Sequence, residues 1–472
     1  MTPAEFRRAG YQVIDRIAAY RERIANLPVL SRLKPGELRA QLPASPPAQA
    51  EQFEAILADL DHIIMPGLSH WQHPRFFGYF PANATLASAL GDFLSTGLGQ
   101  LGLNWQSSPA LTELEEAMTD WLRQMVGLSE NWHGVIQDTA STSTLVALLC
   151  AREHTSSYSL SRGGLQAEER PLIIYTSAQS HSSVEKAALL AGFGRANLRL
   201  IDTDEAHAMR PDLLAEAAQA DLAAGARPCA VVATTGTTAT TALDPIEAVA
   251  AVCREHRLWL HVDAAMAGSA MILPECRWMW QGIEAADSLG LNPHKWLGVA
   301  FDSSLFYVRD PQHLVRVMST NPSYLQTAAD TQAKNYRDWG IPLGRRFRAL
   351  KLWFLIRLEG VEGLQARLRR DIANARWLAE QVDATPGWTR LAPVPLQTVC
   401  LRHEPPGLTG EALDAHTLKW VGQINASGAA YLTPAVLNGR WMVRVSIGAE
   451  PTERQDVEAL WGLMQEVTQA KS

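Results

Sequence analysis

The chain has 472 residues, too many for one small core, and its length implies roughly two to four structural units. Apolar residues make up 47% and charged residues 19%, a globular balance that excludes a disordered chain. Net charge is −7 at pH 7 without any long basic block, which removes the electrostatic footing for nucleic-acid binding. No apolar stretch reaches the roughly 18 residues of a transmembrane helix, so no membrane span is expected. Met1-Thr-Pro-Ala-Glu-Phe-Arg-Arg lacks the apolar run of a secretory signal. The five cysteines are odd in number, widely spaced and without a CxxC pair. That pattern predicts reduced thiols in a cytoplasmic protein rather than a disulfide or zinc framework.

In chain order, Phe6, Tyr11, Val13, Ile14, Ile17 and Tyr20 recur at helical spacing and predict an amphipathic helix over 4–25. Leu42-Pro-Ala-Ser-Pro-Pro-Ala reads as an extended linker, and a second helix is expected from Gln52 to Ile64. These pieces are too few to close a core, so residues 1–85 are expected to wrap another domain or a second subunit. From about residue 86 the pattern becomes strands alternating with helices. Leu172–Tyr175, Ala230–Thr234, Trp259–Val262, Ser288–Leu291 and Leu305–Val308 are short, apolar on both faces and followed by polar or glycine-containing segments. This predicts an α/β domain over 86–370, a mostly parallel sheet flanked by helices. Thr155–Arg170 reads as a loop insertion, and Arg345–Leu358 as a long helix whose basic residues Arg345, Arg346, Arg348 and Lys351 form a solvated or interface face. Residues 371–472, with a strand at Trp441–Ile447, are expected to form a small C-terminal α+β domain.

The chemistry concentrates after those strands. Asn292-Pro-His-Lys295-Trp follows Ser288–Leu291, placing a lysine at the C-terminal end of a sheet strand, where α/β proteins bind ligands. Alone, it would pass for a surface lysine. His261-Val-Asp263-Ala-Ala closes the preceding strand, and a carboxylate buried there needs a cation. A protonated pyridine nitrogen supplies one, and the protonated ring is the electron sink of pyridoxal 5′-phosphate (PLP) chemistry. Gln137-Asp-Thr-Ala140-Ser141-Thr-Ser precedes the apolar run Leu145–Leu149, so small hydroxyl residues before a helix offer donors for a phosphate, although an ordinary N-cap looks the same. His181, after the strand Leu172–Tyr175, could stack on a cofactor ring or serve as a structural histidine. Thr234-Thr-Gly-Thr-Thr238 would line the same mouth.

Two patterns fail their context. Gly97-Leu-Gly-Gln-Leu-Gly102 matches GxGxxG, but it follows the helical stretch Leu86–Leu94 and no acidic strand end comes about twenty residues later, so a nicotinamide oxidoreductase is rejected. His70 and His73 lie in a Trp/Pro loop without a third ligand nearby, and no metal is expected.

Taken together, these segments resemble the PLP-dependent aromatic L-amino acid decarboxylases (group II decarboxylases, fold type I). The resemblance spans nearly the whole chain: Glu5-Phe-Arg-Arg, Ile64-Met-Pro-Gly, Phe76-Phe-Gly-Tyr79-Phe80-Pro81, Ser108-Pro-Ala-Leu-Thr-Glu-Leu-Glu, Asn292-Pro-His-Lys-Trp and Ile341-Pro-Leu-Gly-Arg-Arg-Phe. It implies an α/β fold of the PLP-dependent transferase type, an intertwined homodimer with active sites at the subunit interface, and decarboxylation of an aromatic L-amino acid. Carried over by motif, Lys295 binds the cofactor covalently, Asp263 pairs with the pyridine nitrogen, and His181 stacks on the ring. Ala140, Ser141 and Asn292 hold the phosphate, with Thr238 and His294 beside the cofactor. Trp71, Tyr79, Phe80 and Pro81 match the aromatic substrate pocket; Leu101, Leu103 and Gly344 are expected from the partner subunit. Tyr324, in Asn321-Pro-Ser-Tyr-Leu, matches the catalytic tyrosine whose phenol protonates Cα after CO₂ leaves. Phenylalanine there implies an aldehyde synthase instead.

The chain departs from the animal members at Ala82, where threonine is usual, at the leucines of 101–103, and in a shorter stretch after Tyr324. The segment Gln137–Ser143 is closer to bacterial members. The alternatives are an aldehyde synthase, a decarboxylase of a non-aromatic acid such as glutamate or histidine, and a PLP-free homodimer acting as an interaction protein.

Overall fold

The structure is a computed structural model that describes residues 1–320, 322–325, 330 and 332–469. Seven strands form the main sheet: β1 (His133–Gln137), β2 (Leu172–Ser177), β3 (Leu198–Ile201), β4 (Arg227–Thr234), β5 (Trp259–Asp263), β6 (Ser288–Leu291) and β7 (Ser304–Val308). Their order is β1-β7-β6-β5-β4-β2-β3. Neighbouring pairs from β6 through β5, β4 and β2 to β3 are parallel; β7 is antiparallel to both β6 and β1. The expected mostly parallel α/β sheet is therefore present. Strands β2, β5, β6 and β7 are buried along their whole length, which is why each reads as an unbroken apolar run. The helix Ala140–Thr155 packs Val146, Ala147, Leu148 and Ala151 into a core with Ile174 of β2, Val232 of β4 and Phe306 of β7.

By compactness the chain divides into two units. One comprises residues 1–81, 381–389 and 401–472; the other comprises 82–380 and 390–400. The N-terminal and C-terminal stretches thus share a unit. A second sheet has the order β10-β11-β9-β8, from β8 (Trp388–Arg390), β9 (Thr398–His403), β10 (Thr433–Leu437) and β11 (Arg440–Ser446). The first helix spans Pro3–Arg23 and starts with a capping box in which Thr2 and Glu5 bond each other's backbone N–H. None of its residues is buried.

One reading of the sequence is overturned. The basic stretch 345–351 is not a solvated helical face. The helix begins only at Ala349, and Arg345, Arg348 and Lys351 are paired away from solvent, while Arg346 stays exposed beside Asp92 at 3.2 Å. Arg345 grips Glu115 with two bonds of 2.6 and 2.8 Å, with side-chain exposures of 5% and 1%. Arg348 does the same to Asp302 at 3.0 Å twice. The Lys351 ammonium sits fully buried 3.3 Å from Asp92, and burial pulls its pKa below the usual lysine value while Asp92 and Asp302 oppose the shift. A run of arginines looks like a surface face because the acids that neutralise it lie far away in sequence. Breaking such a buried pair strands a charge, which costs roughly 3–5 kcal/mol.

Candidate active site

The ends of β4, β5 and β6 lie side by side. Thr234 is in register with Asp263, and Asp263 with Gly290. Beyond the ladders, the Thr235 N–H donates to the Asp263 carbonyl at 3.0 Å, Ala264 N–H to Gly290 at 2.8 Å, and Asn292 N–H to Ala265 at 3.0 Å. Asn292 and Lys295 therefore leave β6 directly beside Asp263, at the carboxyl edge of the parallel strands. The strand-end spacing in the sequence thus corresponds to neighbours in space.

Asp263 is 5% exposed. One carboxylate oxygen accepts the Ala265 N–H at 2.9 Å, and no cationic side chain pairs with it among the described residues. Beneath it, the Trp259 indole N–H donates to Ser288 Oγ at 2.9 Å, and that hydroxyl lies 2.9 Å from His261 Nδ1. Burial holds His261 neutral, with its pKa down to about 4 despite the opposing pull of Asp263.

Lys295 has non-helical backbone angles, φ −94° and ψ −107°, within the turn Pro293–Leu297. Its carbonyl is 3.4 Å from Asn83 Nδ2, and its N–H donates to the Asn292 carbonyl at 3.1 Å. On either side the chain is clamped. The Trp296 indole donates to the buried Asp371 at 2.9 Å, and Arg367 donates to the carbonyls of Trp296 and Leu297 at 3.1 and 2.6 Å. His294 accepts the Ser303 N–H on Nδ1 at 2.9 Å. Burial, then the neighbouring Lys295, lowers its pKa to about 4, so it is a neutral acceptor rather than a charged partner.

His181 follows β2 by a short turn and is exposed. The Ser183 N–H donates to His181 Nδ1 at 3.1 Å, and since an amide can only donate, the neutral ring carries its proton on Nε2. Desolvation by its surroundings lowers its pKa most; the Asp263 charge raises it and the Lys295 charge lowers it.

The helix Ala140–Thr155 follows β1, and its N-cap Thr139 makes no side-chain cap. The N–H groups of Ala140 and Ser141 have no acceptor among the described residues. Asn292 Oδ1 accepts the Ser304 hydroxyl at 2.6 Å, and Ser304 Oγ lies 3.3 Å from Ser143 Oγ of that helix, which brings Asn292 next to the helix start. The Thr234 and Thr235 hydroxyls are buried without partners. Gly236 turns the chain here with φ +84°, and a Cβ on it would sit 2.6 Å from that of Ala267, so only glycine lets the Thr237–Thr238 turn close. Thr238 itself is half-buried.

Leu101, Leu103 and Gly344 lie together. Gly102 and Arg345 exchange backbone bonds of 2.9 and 3.0 Å, and a Cβ on Gly344 would meet Leu101 Cδ1 at 3.2 Å. Leu101 is exposed. Tyr324 lies in the single turn Ser323–Leu325; its side chain is outside the described residues.

The aromatic residues of the other unit form their own cluster. Trp71 stacks on Phe76 and Tyr79 at centroid distances of 4.5 and 5.5 Å. Tyr431 packs on both Phe76 and Tyr79 at 5.2 and 5.7 Å. Tyr79 has φ +55°, held there by its N–H donating to Thr433 Oγ1 at 2.7 Å. The Arg444 guanidinium lies 4.9 Å from the Phe80 ring, and Pro81 is buried. Tyr431, Thr433 and Arg444 were not singled out from sequence. The available signal was Gly78 between aromatics, where a Cβ would meet the Tyr431 ring at 2.3 Å. His70 and His73 serve structure: the Tyr20 hydroxyl bonds His70 Nδ1 at 2.8 Å, and His73 Nδ1 accepts the Arg75 N–H at 2.9 Å.

Against known proteins, the conserved domain of pyridoxal-dependent decarboxylases matches residues 35–404. The chain belongs to that family. Two curated relatives span nearly its whole length. The phenylacetaldehyde synthase of Arabidopsis thaliana is 39% identical over 99% of this chain and 96% of its own. The aromatic-L-amino-acid decarboxylase of Bos taurus is 40% identical over 99% and 96%. Among solved structures, Oryza sativa TDC with PLP and tryptamine superposes with a TM-score of 0.96 at 36% identity, covering 99% of this chain and 98% of that one. This decarboxylase therefore uses PLP, and its donors suit that group. Free N–H groups at a helix start and unpartnered threonine hydroxyls match a phosphate. A buried aspartate at the end of a parallel strand matches a pyridinium.

Proposed function

We propose that this enzyme converts an aromatic L-amino acid into the corresponding arylalkylamine and CO₂, the candidates being dopa, 5-hydroxytryptophan, tryptophan, tyrosine and phenylalanine. The observation that carries the reading is the register that sets buried Asp263 beside the strand leading into Lys295. Bound PLP supplies a sink for the electron pair left at Cα when CO₂ departs. Lys295 holds the cofactor through Nζ. Asp263 keeps the pyridine nitrogen protonated, and the His181 ring covers the cofactor with its Nε2–H free to meet the substrate carboxylate. The N–H groups of Ala140 and Ser141, with Asn292 and the approach of Gly344, hold the phosphate. Thr238 and His294 border the cofactor.

The aromatic preference rests on the named relatives and on Trp71, Tyr79, Phe80 and Pro81, with Leu101 and Leu103 closing the pocket from a partner subunit. A homodimer accounts for apolar surface that this chain does not cover. Phe6, Tyr11, Ile14 and Ile17 of the first helix are exposed, as are Leu86, Leu90, Phe93, Leu94 and Leu98 of helix Leu86–Leu98. No helix among the described residues is long and apolar enough to cross a membrane. Five buried cysteines that form no disulfide favour a cytoplasmic location.

A side-by-side assay of the five aromatic acids with glutamate and histidine tests the substrate class. Amine from at least one aromatic acid and none from the other two is expected. Amine from glutamate or histidine alone would overturn the assignment.

The Arabidopsis relative is an aldehyde synthase, so relatives alone leave the product open, and Tyr324 decides it. Its phenol delivers a proton to Cα, and solvent restores that proton. Without it, dioxygen takes two electrons from the same carbon: the amino acid, O₂ and water become aldehyde, CO₂, ammonia and hydrogen peroxide. Tyr324→Phe is therefore expected to raise aldehyde, ammonia and peroxide at the expense of amine, read by chromatography and a peroxide assay. An unchanged product ratio would remove Tyr324 from the role.

A further inference from the structure

Tyr324 protonates Cα only if its hydroxyl arrives in place before dioxygen does, so whatever anchors the segment around it governs the product. The described chain resumes with Asp330, and this residue is tied down by Asn335. Asn335 Nδ2 donates to Asp330 Oδ1 at 3.0 Å, while Asn335 Oδ1 accepts the Trp105 backbone N–H at 3.0 Å. Asn335 is buried. It must donate on one side and accept on the other, which a primary amide does and a carboxylate does not. Arg337, buried alongside, brings Nη2 within 3.5 Å of Asp330 Oδ2 and Nε within 3.4 Å of Asp338. Lys334 pairs with Glu116 at 2.9 Å.

The anchor that Asn335 grips is itself fixed. Residues 102–105 are held by the Gly102–Arg345 backbone exchange. The Arg345 guanidinium binds Glu115 and donates to the Ile136 carbonyl at 2.6 Å, while lying 5.1 Å from the Tyr336 ring. Ile136 is in β1, which runs into the Thr139–Ser141 turn. A continuous set of bonded groups thus runs from the phosphate-binding turn through Arg345, residues 102–105 and Asn335 to Asp330.

We propose that Asn335 and Asp330 are positioning residues that set the partition between amine and aldehyde, by fixing where the chain emerges from the Tyr324 segment. This rests on the reading of Tyr324 as the acid that protonates Cα. The two-faced amide of Asn335 joins Asp330 to the Trp105 backbone, so a displacement at one is felt at the other. A misplacement of about 1 Å in a reacting group costs on the order of 10²-fold in rate, and here the lost protonation is diverted into oxidation by O₂ with the stoichiometry given above.

The test is a charge swap in the PLP-loaded enzyme. Asn335→Asp keeps the acceptor for Trp105 but sets a second carboxylate against Asp330. It is expected to raise the aldehyde-to-amine ratio by about tenfold or more, with KM and cofactor content held. Adding Asp330→Asn restores one donor and one acceptor across the contact and is expected to return the ratio to that of the unaltered enzyme. A general folding defect would not be rescued this way. If Asn335→Asp fails to fold, Asp330→Ala, which removes the acceptor of Asn335 together with the Arg337 contact, is expected to shift the ratio in the same direction. Tyr324→Phe runs in parallel. If it shifts the ratio and the variants at 335 and 330 do not, or if the swap gives no rescue, the positioning role is overturned alone. If none of them shifts the ratio, the reading of Tyr324 is overturned and this inference with it.

Discussion

Alanine at position 295 is expected to reduce amine formation to background while the protein stays folded. Lys295 leaves β6 at the carboxyl edge of the parallel strands, and its segment is clamped by Trp296–Asp371 and by Arg367 on two carbonyls. Those bonds use the neighbouring indole and the backbone rather than the lysine side chain, so its removal spares them. The covalent role has no substitute nearby. The fully buried Lys351 is held by Asp92 at 3.3 Å. Amine release assayed by chromatography, with thermal unfolding as a control, checks this. Substantial turnover in a folded Lys295→Ala protein would contradict the role.

Asp263→Ala is expected to cost on the order of 10²–10³-fold in kcat, the scale seen when a preorganised electrostatic partner is removed from a water-poor site. Asp263 is buried, accepts only the Ala265 N–H, and has no cationic side chain against it among the described residues. A protonated ring nitrogen is the partner proposed for its carboxylate. Without that carboxylate, the pyridine nitrogen loses its proton and the ring accepts the departing electron pair poorly. The loss belongs to the chemical step, so KM moves less than kcat. A kcat near that of the unaltered enzyme would show that another group protonates the ring.

The parts of the site legible from sequence are those where chemistry and chain direction coincide. Strands β5 and β6 read clearly because they are buried on both faces; β5 ends in Asp263, and Lys295 lies in the turn that follows β6. The same logic placed His181 after β2. Strand β1 was not singled out, although it leads into the turn proposed to bind the phosphate. It is only His133–Gln137 and contains Gly134, required because a Cβ there would come within 2.7 Å of the Tyr307 ring. Strand β3 was missed because it is an edge strand left partly exposed. The basic run at 345–351 misled because Glu115, Asp92 and Asp302 lie far away in sequence. Asn335 carries no local signal, since its partner Trp105 lies 230 residues earlier. Tyr431 and Thr433 likewise acquire meaning only by packing on Tyr79. Long-range pairing was thus the part that pattern and motif did not reach.

In the proposed site one bound vitamin ring is held covalently by Lys295 and electrostatically by Asp263. The most direct test of that arrangement is borohydride reduction of the purified yellow enzyme, followed by peptide mapping. The near-visible absorbance is expected to disappear and the pyridoxyl group to be found on the peptide that contains Lys295. A stable adduct on Lys351 or any other lysine, with the 295 peptide unmodified, would contradict it.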